Sequence, residues 1–257
     1  MPPVSGVQVE RAGAVARVRL DRPPLNVLDR PTSRGLAEAL DGLAGADAIA
    51  AVVISGGSAR AFSAGVEIAD HVPESAPGML EDFHAAIRAV ARCESVTIAA
   101  IRGLALGGGF ELALACDLLV AEEDAKLGLP EIQLGCYPPV AAALLPARAG
   151  WAVACEFALL GEPMTPARAH ALGLVNRVCP PGALDPAVDE LMRPLLRLSP
   201  AVLREAKRAL REGAGRAFPA ALRAVERRFL GDLLRLSDAE EGIRAFLEKR
   251  APEWRNR

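Results

Sequence analysis

Two carboxylates in apolar company are the residues of this chain best equipped for chemistry. Glu111 is the only charged residue in "GLALGGGFELALA" (103–115). Burying such a group without a partner costs several kcal/mol. It follows a glycine triplet, Gly107–Gly109, between a strand-like and a helix-like run. Glycines there let a ligand approach the backbone, and the free N–H groups of a helix's first turn favour negative charge. Glu111 lies three residues after Gly108, nearly one helical turn, so the carboxylate and the Gly108 N–H can face one space. Either the acid merely offsets the helix dipole, or acid and amides together form general acid–base equipment beside an oxyanion site. The second carboxylate, Glu131, follows Pro130 in "LGLPEIQLGCYPP" (127–139), where a helix start or turn would also account for it. A further glycine loop, "GSARAFSAGVEIADH" (57–71), could bring another N–H to the same oxygen, because parallel strands end on one sheet edge. The dinucleotide fingerprint fails at Leu112, and no Gly-Lys-Ser/Thr of a P-loop is present.

These residues need elements to hold them. "VQVE" (7–10) and "AVARVRL" (14–20) predict a hairpin, the second run alternating Ala16, Val18 and Leu20 with Arg17 and Arg19. Residues 31–44 and 79–92 have helical spacing. "IAAVVIS" (49–55), "VTIAAIRG" (96–103) and "DLLVA" (117–121) predict buried parallel strands, and "FSAGVE" a loop. The strand–helix alternation predicts an α/β fold with right-handed crossovers. Beyond about residue 150 the chain turns mainly helical. Thr165-Pro166 marks a helix start, and Ser237-Asp238-Ala239-Glu240 reads as a capping box.

Composition narrows the function classes. The net charge of −2 gives no basic excess for nucleic acid. Five scattered cysteines and three histidines lack metal-ligand or disulfide spacing, so no metal is expected and a reducing compartment is. "MPPVSGVQVERAG" lacks an apolar signal region and no run reaches the ~18 residues of a membrane span. The expectation is a cytoplasmic protein with neither membrane nor nucleic-acid partner.

Together the segments resemble the enoyl-CoA hydratase/isomerase (crotonase) family over nearly the whole chain. The resemblance rests on "VARVRLDRPPLNVLD", "AVVISGGSARAFSAGVEI", "TIAAIRGLALGGGFELALACDLLVAEEDAKLGLPEIQLG", "LLGEPMTPARAHALGLVNRV" and "FLEKRAPEW". It implies a ββα spiral core over 1–195, and a C-terminal helical region over 196–257 for trimerisation and CoA contact. It implies Val66 and Gly108 as oxyanion-hole amides, Glu111 and Glu131 as catalytic acids, and Ala64, Phe246, Lys249 and Arg250 at CoA. The substrate would be an acyl-CoA thioester, with no bound cofactor, and the assembly a homotrimer or a hexamer of two trimers. Both glutamates favour hydration. Double-bond isomerisation, other enolate chemistry and a non-catalytic acyl-CoA-binding subunit are the alternatives. "FSAGVEIADHVPE" and "LGCYPPVAAALLP" resemble the branch that hydrates cyclic dienoyl-CoA, with Glu67, His71, Tyr137 and Pro139 shaping the acyl pocket. Many relatives have a glycine N–H where Pro139 stands, so water must be held differently, with Tyr137 as one substitute, or the reaction differs.

Overall fold

The computed structural model describes residues 6–57, 59–214, 229 and 231–257. An antiparallel hairpin opens it, β1 (Val7–Ala12) and β2 (Val15–Leu20). Ala16, Val18 and Leu20 point inward, as their alternation with arginine requires. Helix α1 (Arg30–Asp41) follows, with the Asp29 carboxylate accepting from the Thr32 N–H at its start. It ends at Gly42, earlier than the expected residue 44.

Next come two strand–strand–helix turns and a third strand pair. These are β3 (Ala51–Ser55), β4 (Ala61–Ser63) and α2 (Ala76–Arg92); β5 (Val96–Ile101), β6 (Leu104–Leu106) and α3 (Gly108–Ala115); then β7 (Leu118–Glu122) and β8 (Lys126–Gly128). In each pair the first strand joins a six-stranded sheet and the second a three-stranded sheet, ordered β4-β6-β8. The larger sheet runs β1-β2-β3-β5-β7 and ends on β9 (Arg177–Cys179), parallel from β2 onward.

The apolar runs are continuous because this sheet is covered on both faces. Val52, Ile54, Ala99 and Ile101 enter one core, with Leu36, Phe83 and Leu112. Ala51, Val53, Ile98 and Ala100 enter another, beneath Leu184, Val188 and Met192.

After β8 a 3-10 turn (Pro130–Leu134) leads into α4 (Pro139–Ala149), α5 (Trp151–Leu160) and α6 (Pro166–Ala171). Thr165 caps α6 by accepting from the Arg168 N–H. Helices α7 (Leu184–Leu195), α8 (Pro200–Gly213) and α9 (Ser237–Glu248) follow β9. The helix start expected at 237–240 is where α9 begins. The Ser237 hydroxyl donates to the Arg257 carbonyl, and the Asp238 carboxylate accepts from the Arg255 and Asn256 N–H groups. These side chains fasten the tail beside α9. No helix among the described residues is long and apolar enough to cross a membrane.

One buried ion pair ties α8 to the sheet. Lys207, 7% exposed, donates to the Ser95 carbonyl at 2.6 Å and pairs with Asp117. Asp117 in turn accepts from the Thr97 N–H and hydroxyl. Burial pushes the Lys207 pKa down, and Asp117 opposes that shift. Lys207→Met should therefore cost about 3 kcal/mol in urea denaturation, since it leaves Asp117 partly buried without its principal cation.

Candidate active site

The three-stranded sheet assembles the site. Its strands are parallel, so Ser63, Leu106 and Gly128 end on one edge. The residues that follow them, 64–66, 107–111 and 129–131, converge around a cavity of about 340 Å³. Ala64, Val66, Gly108, Glu111, Glu131, His71, Tyr137 and Pro139 all line it. Its walls are otherwise apolar, including Ile68, Met79, Leu80, Phe83 and Leu134.

The glycines are dictated by close approach. A side-chain carbon on Gly108 would lie 2.6 Å from Val66 Cγ2 and 3.4 Å from the Val66 nitrogen. One on Gly65, whose φ is +105°, would lie 2.9 Å from the Leu106 carbonyl oxygen and 3.5 Å from the Gly108 nitrogen. The two amides expected to hold an oxyanion are thus adjacent. Each has its direction set by its own peptide plane, in which C=O and N–H point opposite ways. The Gly107 carbonyl accepts from the Glu111 N–H at 2.9 Å, inside α3, leaving the Gly108 N–H at the open helix start. The Gly65 carbonyl accepts from the Leu28 N–H at 2.8 Å, which turns the Val66 N–H away from Leu28.

The carboxylates are buried, Glu111 at 2% exposure and Glu131 at 9%. Glu111 Oε1 accepts from the Ala141 N–H at 2.9 Å. Burial raises its pKa to about 7. The Ala141 and Val140 N–H groups oppose that rise, and the nearby Glu131 charge adds to it. Burial also raises the Glu131 pKa, against its own N–H and the charge of His71. Glu131 Oε1 sits against Gly107, 2.8 Å from where a side-chain carbon would be, whereas Oε2 is buried without a hydrogen-bond partner.

Pro139 takes on a different meaning in this geometry. It is the first residue of α4, where a missing N–H has no helical partner to lose. The next free amides of that helix start, Val140 and Ala141, face Glu111. A donor set is therefore present, directed at the carboxylate. Tyr137 is 69% exposed at the cavity mouth.

Other expected residues fall elsewhere. Glu67 is outside the cavity lining; its carbonyl oxygen lies 3.1 Å from His71 Nδ1 and orients that ring. Lys249 is exposed just after α9, and Arg250 pairs with Glu241 and Glu248. Neither lines this cavity. The Phe246 side chain lies outside the described residues. Sequence reasoning missed the Val140 and Ala141 amides, whose only signal was the proline that starts their helix.

The chain is similar along its length to known proteins. A profile of the enoyl-CoA hydratase/isomerase family matches residues 10–257. The cyclohexa-1,5-dienecarbonyl-CoA hydratase of Thauera aromatica is 37% identical over 98% of this chain and 96% of its own. A probable enoyl-CoA hydratase of Mycobacterium tuberculosis is 37% identical over 98% of each chain. The solved structure of Pseudomonas aeruginosa DspI superimposes with a TM-score of 0.93 at 34% identity, over 99% of this chain and 98% of that one. With a ββα spiral of this order and relatives matched end to end, the chain belongs to the enoyl-CoA hydratase/isomerase (crotonase) family.

Proposed function

We propose that this protein is a hydro-lyase that adds water across the α,β double bond of an acyl-CoA thioester. The observation that carries the reading is the pair of buried carboxylates, Glu111 and Glu131, lining one cavity with two adjacent backbone amides. The thioester oxygen accepts from the Val66 and Gly108 N–H groups, which stabilise the negative charge that develops as the enolate forms. Water gives its oxygen to the β-carbon and a proton to the ionised member of the carboxylate pair. The protonated member gives a proton to the α-carbon, so one water is consumed and the pair returns to its starting charge. Burial raises both carboxyls, and the charge of Glu131 raises Glu111 further, so double ionisation is disfavoured and the pair can supply acid and base together. The Ala141 N–H fixes Glu111 for that exchange.

For the acyl group we propose a cyclic dienoyl-CoA. The support is the likeness to the Thauera aromatica hydratase and the apolar wall of Ile68, Met79 and Phe83. The CoA moiety leaves past Ala64. Residues 196–257 form the oligomerising region of a homotrimer or paired trimers, in which Phe246, Lys249 and Arg250 reach CoA in a neighbouring subunit. No resident cofactor enters the reaction. The five free cysteines suit a cytoplasmic location. The alternative of double-bond isomerisation draws on Pro139, which has no N–H to offer water.

Glu131→Gln tests the pair. Hydration of cyclohexa-1,5-dienecarbonyl-CoA and of crotonyl-CoA should fall by roughly 10³-fold in kcat, with KM changed only a few-fold. Unchanged turnover would remove Glu131 from the chemistry.

A further inference from the structure

We propose that Ser63, braced by Asn26, is a positioning residue that aims the Val66 N–H at the thioester oxygen. The inference rests on the oxyanion reading above and extends it to side chains that do not touch substrate.

Ser63 is fully buried at the end of β4, two residues before Gly65. Its hydroxyl is used twice. It accepts from the Gly65 N–H at 3.1 Å and donates to the Asn26 carbonyl at 2.7 Å. The Gly65 carbonyl meanwhile accepts from the Leu28 N–H at 2.8 Å. Both polar groups of Gly65 are therefore held by the 26–28 segment, one directly and one through Ser63. Gly65 has φ +105° and no side chain to restrict it, so without these bonds its peptide planes would be free to rotate.

The 26–28 segment is itself anchored. Asn26 is fully buried and has φ +50°, a conformation asparagine tolerates better than most residues. Its amide nitrogen donates to the carbonyls of Gly56, Ala61 and Phe62, and its side-chain oxygen accepts from the Arg22 N–H. One side chain thus joins the loop before α1 to both ends of the crossing from β3 to β4. The chain from Asn26 through Ser63 to Gly65 is continuous, and the Val66 N–H is the next polar group along it.

The test uses Ser63→Ala and Ser63→Cys in the full-length protein, with two readouts. One is crotonyl-CoA hydration. The other is the near-ultraviolet absorbance of the enolate of bound acetoacetyl-CoA as pH is varied. The alanine variant should lose roughly 10- to 100-fold in kcat with KM within about 3-fold. Its enolisation midpoint should move up by about one pH unit, and the cysteine variant should fall between it and the wild type. Thermal stability should fall, since the Gly65 N–H and the Asn26 carbonyl lose their common partner, but the Asn26 side-chain bonds remain to hold the loop. Wild-type kcat and enolisation midpoint in the alanine variant would overturn the inference, as would a rise in KM alone. If the alanine variant does not fold, the cysteine variant decides on the same criteria. A wild-type protein that neither hydrates crotonyl-CoA nor binds acetoacetyl-CoA as its enolate would instead overturn the oxyanion reading beneath it.

Discussion

Glu111→Gln should abolish hydration and, at the same time, make the unliganded protein more stable above neutral pH. The activity loss is expected at roughly 10³-fold or more in kcat, because the amide can neither accept nor deliver a proton. The stability gain follows from the raised pKa. Folded, the carboxyl titrates at about 7 against an ordinary value of 4.5, mainly because it is buried. Between those values the native state holds a proton that the unfolded chain has released. Stability therefore falls as pH rises through this window and levels off above it. The full penalty is about 3 kcal/mol by pH 8. Glutamine keeps an oxygen for the Ala141 N–H, bonded at 2.9 Å in the wild type, and carries no charge. Urea denaturation should show the variant more stable by about 2–3 kcal/mol at pH 8 and equal to wild type near pH 4. An equal or lower stability at pH 8 would mean that Glu111 is not held as a destabilised carboxylate. The expected gain would mean that the wild-type protein accepts lower stability in order to hold a base in apolar surroundings, a trade seen where sites need destabilised groups.

Gly109→Ala is the second large effect, and it acts through the backbone. Propensity alone would favour alanine by about 1 kcal/mol in a helix interior. Here the added carbon would sit 2.4 Å from the Ser63 carbonyl oxygen and 2.8 Å from Ser63 Cβ. Neither contact is with a flexible side-chain end, so α3 must move away from β4 by several tenths of an ångström or more. We expect a loss of about 3 kcal/mol by urea denaturation. Those two elements carry Gly108 and the segment leading to Val66, so residual folded protein should be down about 10²-fold in kcat. Gly13→Ala is the control. It has φ +57° with open space around it, so it should cost about 1 kcal/mol of backbone strain and leave kcat unchanged. If both substitutions behaved alike, close approach of α3 to β4 would not be what Gly109 provides.

The buried strands and the acid pair were legible in the sequence because burial leaves a mark there. A run such as "AVVIS" can only be covered on both sides, and a lone Glu111 among alanines, leucines and glycines needs a reason. The β4-β6-β8 sheet was not legible, because three-residue strands are too short to show a period. Yet that sheet brings Val66, Gly108 and Glu131 to one edge. The role of Pro139 was read from what proline lacks. The structure replaces that with what proline starts, a helix whose Ala141 amide holds Glu111. The family resemblance put Arg250 at CoA, and in the folded chain Glu241, nine residues away, pairs with it. The Asn26–Ser63–Gly65 chain runs mostly between a side chain and loop backbone, and such bonds have no sequence period at all.

The proposed reaction adds water through an enolate held at Val66 and Gly108. It is tested most directly by mass spectrometry of the product formed from cyclohexa-1,5-dienecarbonyl-CoA in water enriched in heavy oxygen. The expected product is heavier by one water and carries the heavy oxygen, and it is formed by the wild type and lost in both Glu111→Gln and Glu131→Gln. A rearranged product of unchanged mass, or hydration that persists in both variants, would contradict it.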